Sequence, residues 1–191
     1  YLSNKSKINL LPLAVGDLSK YNFKDLNSFL KSDVYIIFGS SYLKGDLAEF
    51  LISKKAINIH MGISPYYRGS DCNFWALYDK NTNYVGSTIQ LLSKGLDSGN
   101  ILYHALSKFH KDPFYYSMNT VKSAIHSLRD RIIDNSIFDI VPQKQNRLEE
   151  IRYTKKKEFT DRVINEFLGN LQIPEKKILL NDYKEPYILE T

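Results

Sequence analysis

The stretch DVYIIFGSSYLKGDLAEFLISKKAINIH, residues 33–60, decides the fold. Its opening, DVYIIFG (33–39), is short, β-branched and aromatic and closes on Gly39, the pattern of a buried strand. LKGDLAEFLISKK follows, with Leu43, Leu47, Phe50 and Leu51 on one helical stripe and Lys54 and Lys55 at the end, where cations complement a helix dipole. AINIH (56–60) then reads as a second strand. Strand, helix and strand in so short a span make a βαβ unit, whose loops at the strand C-termini are favoured places for chemistry. Asn58 and His60 sit at such an end.

Working outward, VGSTIQLL (85–92) alternates Val85, Ser87, Ile89 and Leu91, as a half-buried strand does. NILYHALSKF (100–109) reads as its antiparallel neighbour, joined through KGLDSG, which sets Asp97 between Gly95 and Gly99. From Tyr115 to about Ile137 the positions Met118, Val121, Ala124, Ile125, Leu128, Ile132 and Ile133 keep helical spacing, and Pro142 breaks the pattern. A short helix follows, with Thr160 as N-cap and Phe159, Val163, Phe167 and Leu168 as its stripe. The end of the chain is irregular and rich in Tyr, Pro and charge, and the sequence has no internal repeat.

At 191 residues, 43% hydrophobic and 25% charged, the composition is that of a globular chain of one domain, or one domain with a small appendage. No apolar run reaches the ~20 residues that a membrane helix needs. The start, YLSNKSKINLL, lacks the features of a signal peptide, so a cytoplasmic location is the default expectation. Cys72 is the single cysteine and reads as a small packed residue rather than a nucleophile. The net charge of +5 suits an anionic partner such as a phosphorylated sugar, a folate tail or RNA. Lys155, Lys156 and Lys157, with Arg147, Arg152 and Arg162 nearby, read as a solvated face in preference to a nucleic-acid surface.

Asn58 carries an NH₂ that can donate to a developing oxyanion, and His60 can do the same or move a proton. Ser40, Ser41 and Ser64 have no nucleophile-elbow context, and closely spaced metal ligands are absent, so no metal is expected. Direct transfer between two bound substrates fits this inventory. Asp97 would orient His60 or accept the proton lost by an attacking amine.

The ordered set N-x-H (Asn58, His60), S-P-x-x-R-G (Ser64, Pro65, Arg68, Gly69), an aromatic segment (Trp75 to Tyr78), G-x-T-I (Gly86, Thr88, Ile89) and G-L-D-S-G-x-I-L (Gly95 to Leu102) resembles the 10-formyltetrahydrofolate-dependent formyltransferase family. FGSSYL (38–43) resembles the family's folate-side loop, so the likeness covers roughly residues 30–135. Met61 and Gly62 depart from the Pro-Ser or Gly-Ser common after the histidine, and His104 stands where a Gln is frequent.

The resemblance implies an α/β, Rossmann-like formyltransferase core over residues 1–140, its sheet mostly parallel, partly mixed and flanked by helices, with a small C-terminal extension over 141–191. Only 37 residues precede FGSSYL, where the family opens with further βα units, so a core short of those units is expected. The implied activity is transfer of a formyl group from 10-formyltetrahydrofolate to an amine. Asn58 and His60 would steady the oxyanion and Asp97 would set the protonation and orientation of His60. Ser40, Ser41, Tyr42 and Leu43 would flank one side of the folate, and Leu92, Ser93 and Gly95 the other.

The family's acceptors are glycinamide ribonucleotide, methionyl-tRNA, nucleotide-linked amino sugars and water. The roughly 50 residues after 140 are too few for the barrel domain of a tRNA enzyme. IRYTKKKEFTDRV, YYRG and NFWALY resemble sugar N-formyltransferases, which makes a nucleotide-linked amino sugar the expected substrate. A methionyl-tRNA or glycinamide ribonucleotide formyltransferase-like enzyme, a formyltetrahydrofolate hydrolase and a non-catalytic folate-binding protein are the alternatives, and a homodimer is left open. Tyr66, Tyr67 and Arg68, with Gly69, are candidates for an exposed substrate-binding edge, whereas Phe74, Trp75 and Leu77 read as core.

Overall fold

Ile36–Phe38 (β1), Gly45–Ser53 (α1) and Ile57–His60 (β2) follow one another as the βαβ reading requires, and β1 pairs parallel with β2. The buried strand expected there is corrected, since β1 ends the described sheet and Ile36 and Phe38 are exposed. This computed structural model describes residues 10–175 and 187–189. Next come Tyr67–Gly69 (β3), Cys72–Tyr78 (α2), Ser87–Leu91 (β4) and Ile101–Ser107 (β5). Pro113–Ile133 (α3), Arg152–Thr154 (β6), Asp161–Gly169 (α4) and Tyr187–Leu189 (β7) complete the order. The main sheet runs β1-β2-β4-β5-β7. It is mixed, as expected: parallel at its two outer pairs and antiparallel where β4 meets β2 and β5.

Alternation along β2 settles which face does what. Ile57 and Ile59 enter a core with Ile89, Tyr103, Ala105 and the α3 residues Ala124 and Leu128, while Asn58 and His60 point to the opposite face. A second core, Leu26, Ile37, Leu47, Leu51 and Ala56, seats α1 against β1. The third gathers Tyr67, Cys72, Trp75, Ala76, Leu77, Val85 and Tyr116, with Phe74, Val163 and Phe167 packed against it. Cys72 is thus a buried packing residue, and burial pushes its thiol pKa up.

α3 begins two residues before the predicted start, because Asp112 Oδ1 accepts the Tyr115 N–H at 2.6 Å and Pro113 fills the first turn, where no N–H is needed. It ends at Ile133, short of the predicted 137. Asn135 adopts a left-handed φ of 64°, and a separate 3₁₀ turn, Ser136–Phe138, follows. Thr160 caps α4 as expected, accepting from the Val163 N–H.

The chain after residue 140 runs back over the core. Gln143 pairs with Ile101, β6 pairs in parallel with β3, and Phe167 packs edge-on to Phe74 with centroids 5.2 Å apart. Gly69 makes the β3–β6 contact possible: its φ is +90°, and a Cβ there would run into the carbonyl oxygen of Thr154. The irregular end expected from the sequence lies outside the described residues over 176–186 and 190–191. Within it, Tyr187–Leu189 is a strand beside β5, a correction to that expectation. The start of the chain, residues 1–9, likewise lies outside the described residues. Among the described residues no helix is long and apolar enough to cross a membrane.

Candidate active site

Asn58 and His60 share a face because they are two residues apart on a strand, and the β4–β5 turn brings Asp97 to both. Asp97 Oδ2 lies 3.4 Å from His60 Nδ1, and its Oδ1 accepts from Asn58 Nδ2 at 3.4 Å. The Asp97 backbone sits in the left-handed region at φ 45°, a conformation that Asp tolerates better than most residues. His60 Nε2 faces the Tyr67 carbonyl oxygen at 3.1 Å. A carbonyl can only accept, so Nε2 carries a proton, and the remaining ring nitrogen is turned to a carboxylate. Both 3.4 Å contacts are long, as catalytic hydrogen bonds often are before substrate draws the groups together.

These three residues form the floor of a cleft of about 790 Å³. One wall is the loop after β1 and the other the β4–β5 turn, and Tyr42 Oη bridges them by donating to the Lys94 carbonyl at 2.6 Å. Ser40, Ser41, Tyr42, Leu43, Leu92, Ser93 and Gly95 all line this cleft. Its volume is that of a site for an extended organic molecule, apolar on the sides (Phe38, Leu43, Leu92, Leu96) and polar at the floor. Among the described residues no cluster of three or more His, Cys, Asp and Glu side chains could hold a metal ion.

The loop after His60 takes its shape from Gly62, Thr88 and His104. Thr88 Oγ1 donates to the Gly62 carbonyl at 2.6 Å and accepts the Ser64 N–H at 2.9 Å. Its single proton is therefore committed, so His104 Nδ1, at 3.2 Å, is the donor to it. Burial first, then the neighbouring His60, lowers the His104 pKa to about 3, so this ring is a neutral strut. Gly62 is the residue the close packing demands: a Cβ there would overlap Cys72 and come within 2.9 Å of His60 Nε2. The departures from the family pattern at Gly62 and His104 thus belong to one local arrangement.

The exposed substrate edge expected at Tyr67 and Arg68 is not there. Pairing of β3 with β6 turns both side chains inward, to 1% and 6% exposure. The Tyr67 hydroxyl donates to Asp79 Oδ2 at 3.1 Å and accepts from Asn81 at 2.7 Å. Arg68 reaches Glu150 and the Leu96 carbonyl, each at 2.8 Å, so it braces the turn that carries Asp97. Tyr66 is half-buried against Tyr84, ring centroids 4.5 Å apart. Of these four residues only Gly69 lines the cleft. Trp75 and Leu77 are buried as expected, and Phe74 is half-buried.

The mixed α/β sheet brings an amide, an imidazole and a carboxylate together at a strand end beside the cleft, an arrangement suited to stabilising an oxyanion and moving a proton. The chain belongs to the formyl transferase family, whose model matches residues 28–158. Among solved structures it is similar to a 4-N formyltransferase from Francisella tularensis, with 22% identity and a TM-score of 0.61 over 90% of this chain and 71% of that one. It is also similar to the formyltransferase PseJ from Anoxybacillus kamchatkensis, with 21% identity and a TM-score of 0.54 over 83% and 76% of the two chains. A sugar N-formyltransferase from a Shewanella species gives 20% and 0.56 over 88% and 69%. At these identities the likeness is one of fold. No curated protein sequence matches the chain.

Proposed function

We propose that this protein transfers a formyl group from 10-formyltetrahydrofolate to the amino group of a nucleotide-linked amino sugar. The observation that carries this reading is the meeting of Asn58, His60 and Asp97 at the floor of the cleft. The PseJ structure supports the choice of substrates, since it holds tetrahydrofolate and UDP-4,6-dideoxy-4-formamido-L-AltNAc.

The folate supplies the formyl carbon that the amine attacks; the remaining work falls to the chain. Ser40 to Leu43 and Leu92 to Gly95 hold the donor between the two loops. Asn58 Nδ2–H and an N–H of the His60 ring stabilise the oxygen that gains negative charge, an effect worth roughly 10² to 10³ in rate per donor in enzymes that use such groups. Asp97 keeps the ring aligned and accepts the proton released by the amine, and that proton passes to the folate nitrogen as its bond to the formyl carbon breaks and tetrahydrofolate leaves. No nucleophile of the chain is required, in keeping with the buried, unreactive Cys72.

The test is release of tetrahydrofolate from 10-formyltetrahydrofolate with and without a panel of nucleotide-linked amino sugars. Release that depends on one of the amines supports the proposal. Release without any amine would instead identify a hydrolase, and binding without release a folate-binding protein; either result rejects formyl transfer.

A further inference from the structure

We propose that Gln145, which lies outside the cleft, is a positioning residue that holds Asp97 against Asn58 and His60; the catalytic meaning of this rests on the function proposed above. Gln145 follows the bridge in which the Gln143 and Ile101 backbones exchange hydrogen bonds of 2.7 and 2.8 Å, so its base is anchored on β5. From there its amide nitrogen reaches the Asp97 carbonyl at 3.0 Å, the Gly99 carbonyl at 2.7 Å and Gln90 Oε1 at 2.8 Å. Two protons serve three acceptors, and the reverse orientation of the amide would set oxygen against three oxygens, so its direction is dictated.

The partners give these bonds their meaning. Gln90 is 1% exposed and sits directly opposite Asn58 in the β2–β4 register. The two carbonyls belong to Asp97 itself and to the residue two places on, where the turn rejoins β5. One side chain therefore ties the strand position beside Asn58 to the turn that delivers Asp97. The left-handed backbone at Asp97, though better tolerated by Asp than by most residues, is held more firmly where its surroundings constrain it. Gln145 supplies that constraint from the segment that follows the Gln143–Ile101 bridge, while Arg68 and Tyr42 grip Leu96 and Lys94 from elsewhere.

The experiment compares the wild-type chain with Gln145→Met, which keeps the length and loses the N–H donors, and with Gln145→Glu, which replaces donors by acceptors. Backbone hydrogen exchange is followed without substrate, and kcat and KM for formyl transfer are measured alongside thermal midpoints. Expected are exchange over residues 92–99 faster by roughly tenfold with α3 unchanged, and kcat lower by about 10- to 100-fold. Unchanged exchange in the turn overturns the proposal, as does an equal loss of protection in α3, which would mark a general structural role. If the wild-type protein transfers no formyl group, the functional reading fails, and the exchange measurement alone still decides whether Gln145 clamps the turn.

Discussion

Replacing Asp97 by Asn removes one negative charge from the site while leaving its hydrogen-bond geometry intact. In the variant, Asn58 Nδ2 donates to the new amide oxygen and the new NH₂ donates to His60 Nδ1, so every partner around the ring is still satisfied. The change is that Nδ1 now faces an amide N–H, so the carboxylate charge that would stabilise an imidazolium is gone. At the observed 3.4 Å, with both side chains largely buried, the attraction of the carboxylate for an imidazolium formed during the reaction is about 5 kcal/mol at an effective dielectric of 20. At 1.36 kcal/mol per tenfold, its loss corresponds to a drop of roughly 10³ to 10⁴ in kcat. The assay is steady-state release of tetrahydrofolate at saturating donor and amine, with donor affinity and thermal midpoint measured on the same sample. We expect both of the latter to stay near wild type. A variant that keeps kcat within tenfold would refute the argument that Asp97 supports a charged His60.

Gly62→Ala drives a methyl group into Cys72 and against His60 Nε2, and the helix start or the imidazole must yield. Overpacking of this kind costs about 1–3 kcal/mol, and displacement of the ring should lower kcat/KM by roughly 10- to 100-fold; denaturant unfolding and kinetics on the same variant check both. His104 makes stability depend on pH. Its folded pKa of about 3 lies below the 6.5 of the unfolded chain, so below pH 6.5 the unfolded state binds a proton that the folded state refuses. Stability is therefore lost as pH falls from 6.5 towards 3, by up to about 1.4 kcal/mol per pH unit, and this group contributes nothing to the slope above 6.5. Unfolding free energies of wild type and His104→Gln between pH 7 and pH 4.5 should diverge in slope by close to one proton, and parallel curves would count against a neutral buried imidazole.

The sequence by itself located β1, α1, β2, the β4–β5 hairpin and most of α3, because each carries apolar residues in a run or at a spacing written in neighbouring positions, although it read β1 as buried where Ile36 and Phe38 are in fact exposed. It also placed Asn58 and His60 on one face and put Asp97 in a turn that could reach them. What it did not contain was the pairing of β3 with β6, since three-residue strands carry no period of their own and exist only where a distant partner lies alongside. That pairing is what buries Tyr67 and Arg68, so their expected exposure failed for the same reason. The strand Tyr187–Leu189 was hidden likewise, its place set by the open edge of β5. Gln145 stands in a polar run, VPQKQNR, with nothing to distinguish it from its neighbours. Only the tertiary structure gives it a role, because hydrogen bonds to backbone carbonyls depend on where two separated segments meet in space, whereas periodicity records only which side of one element faces the core.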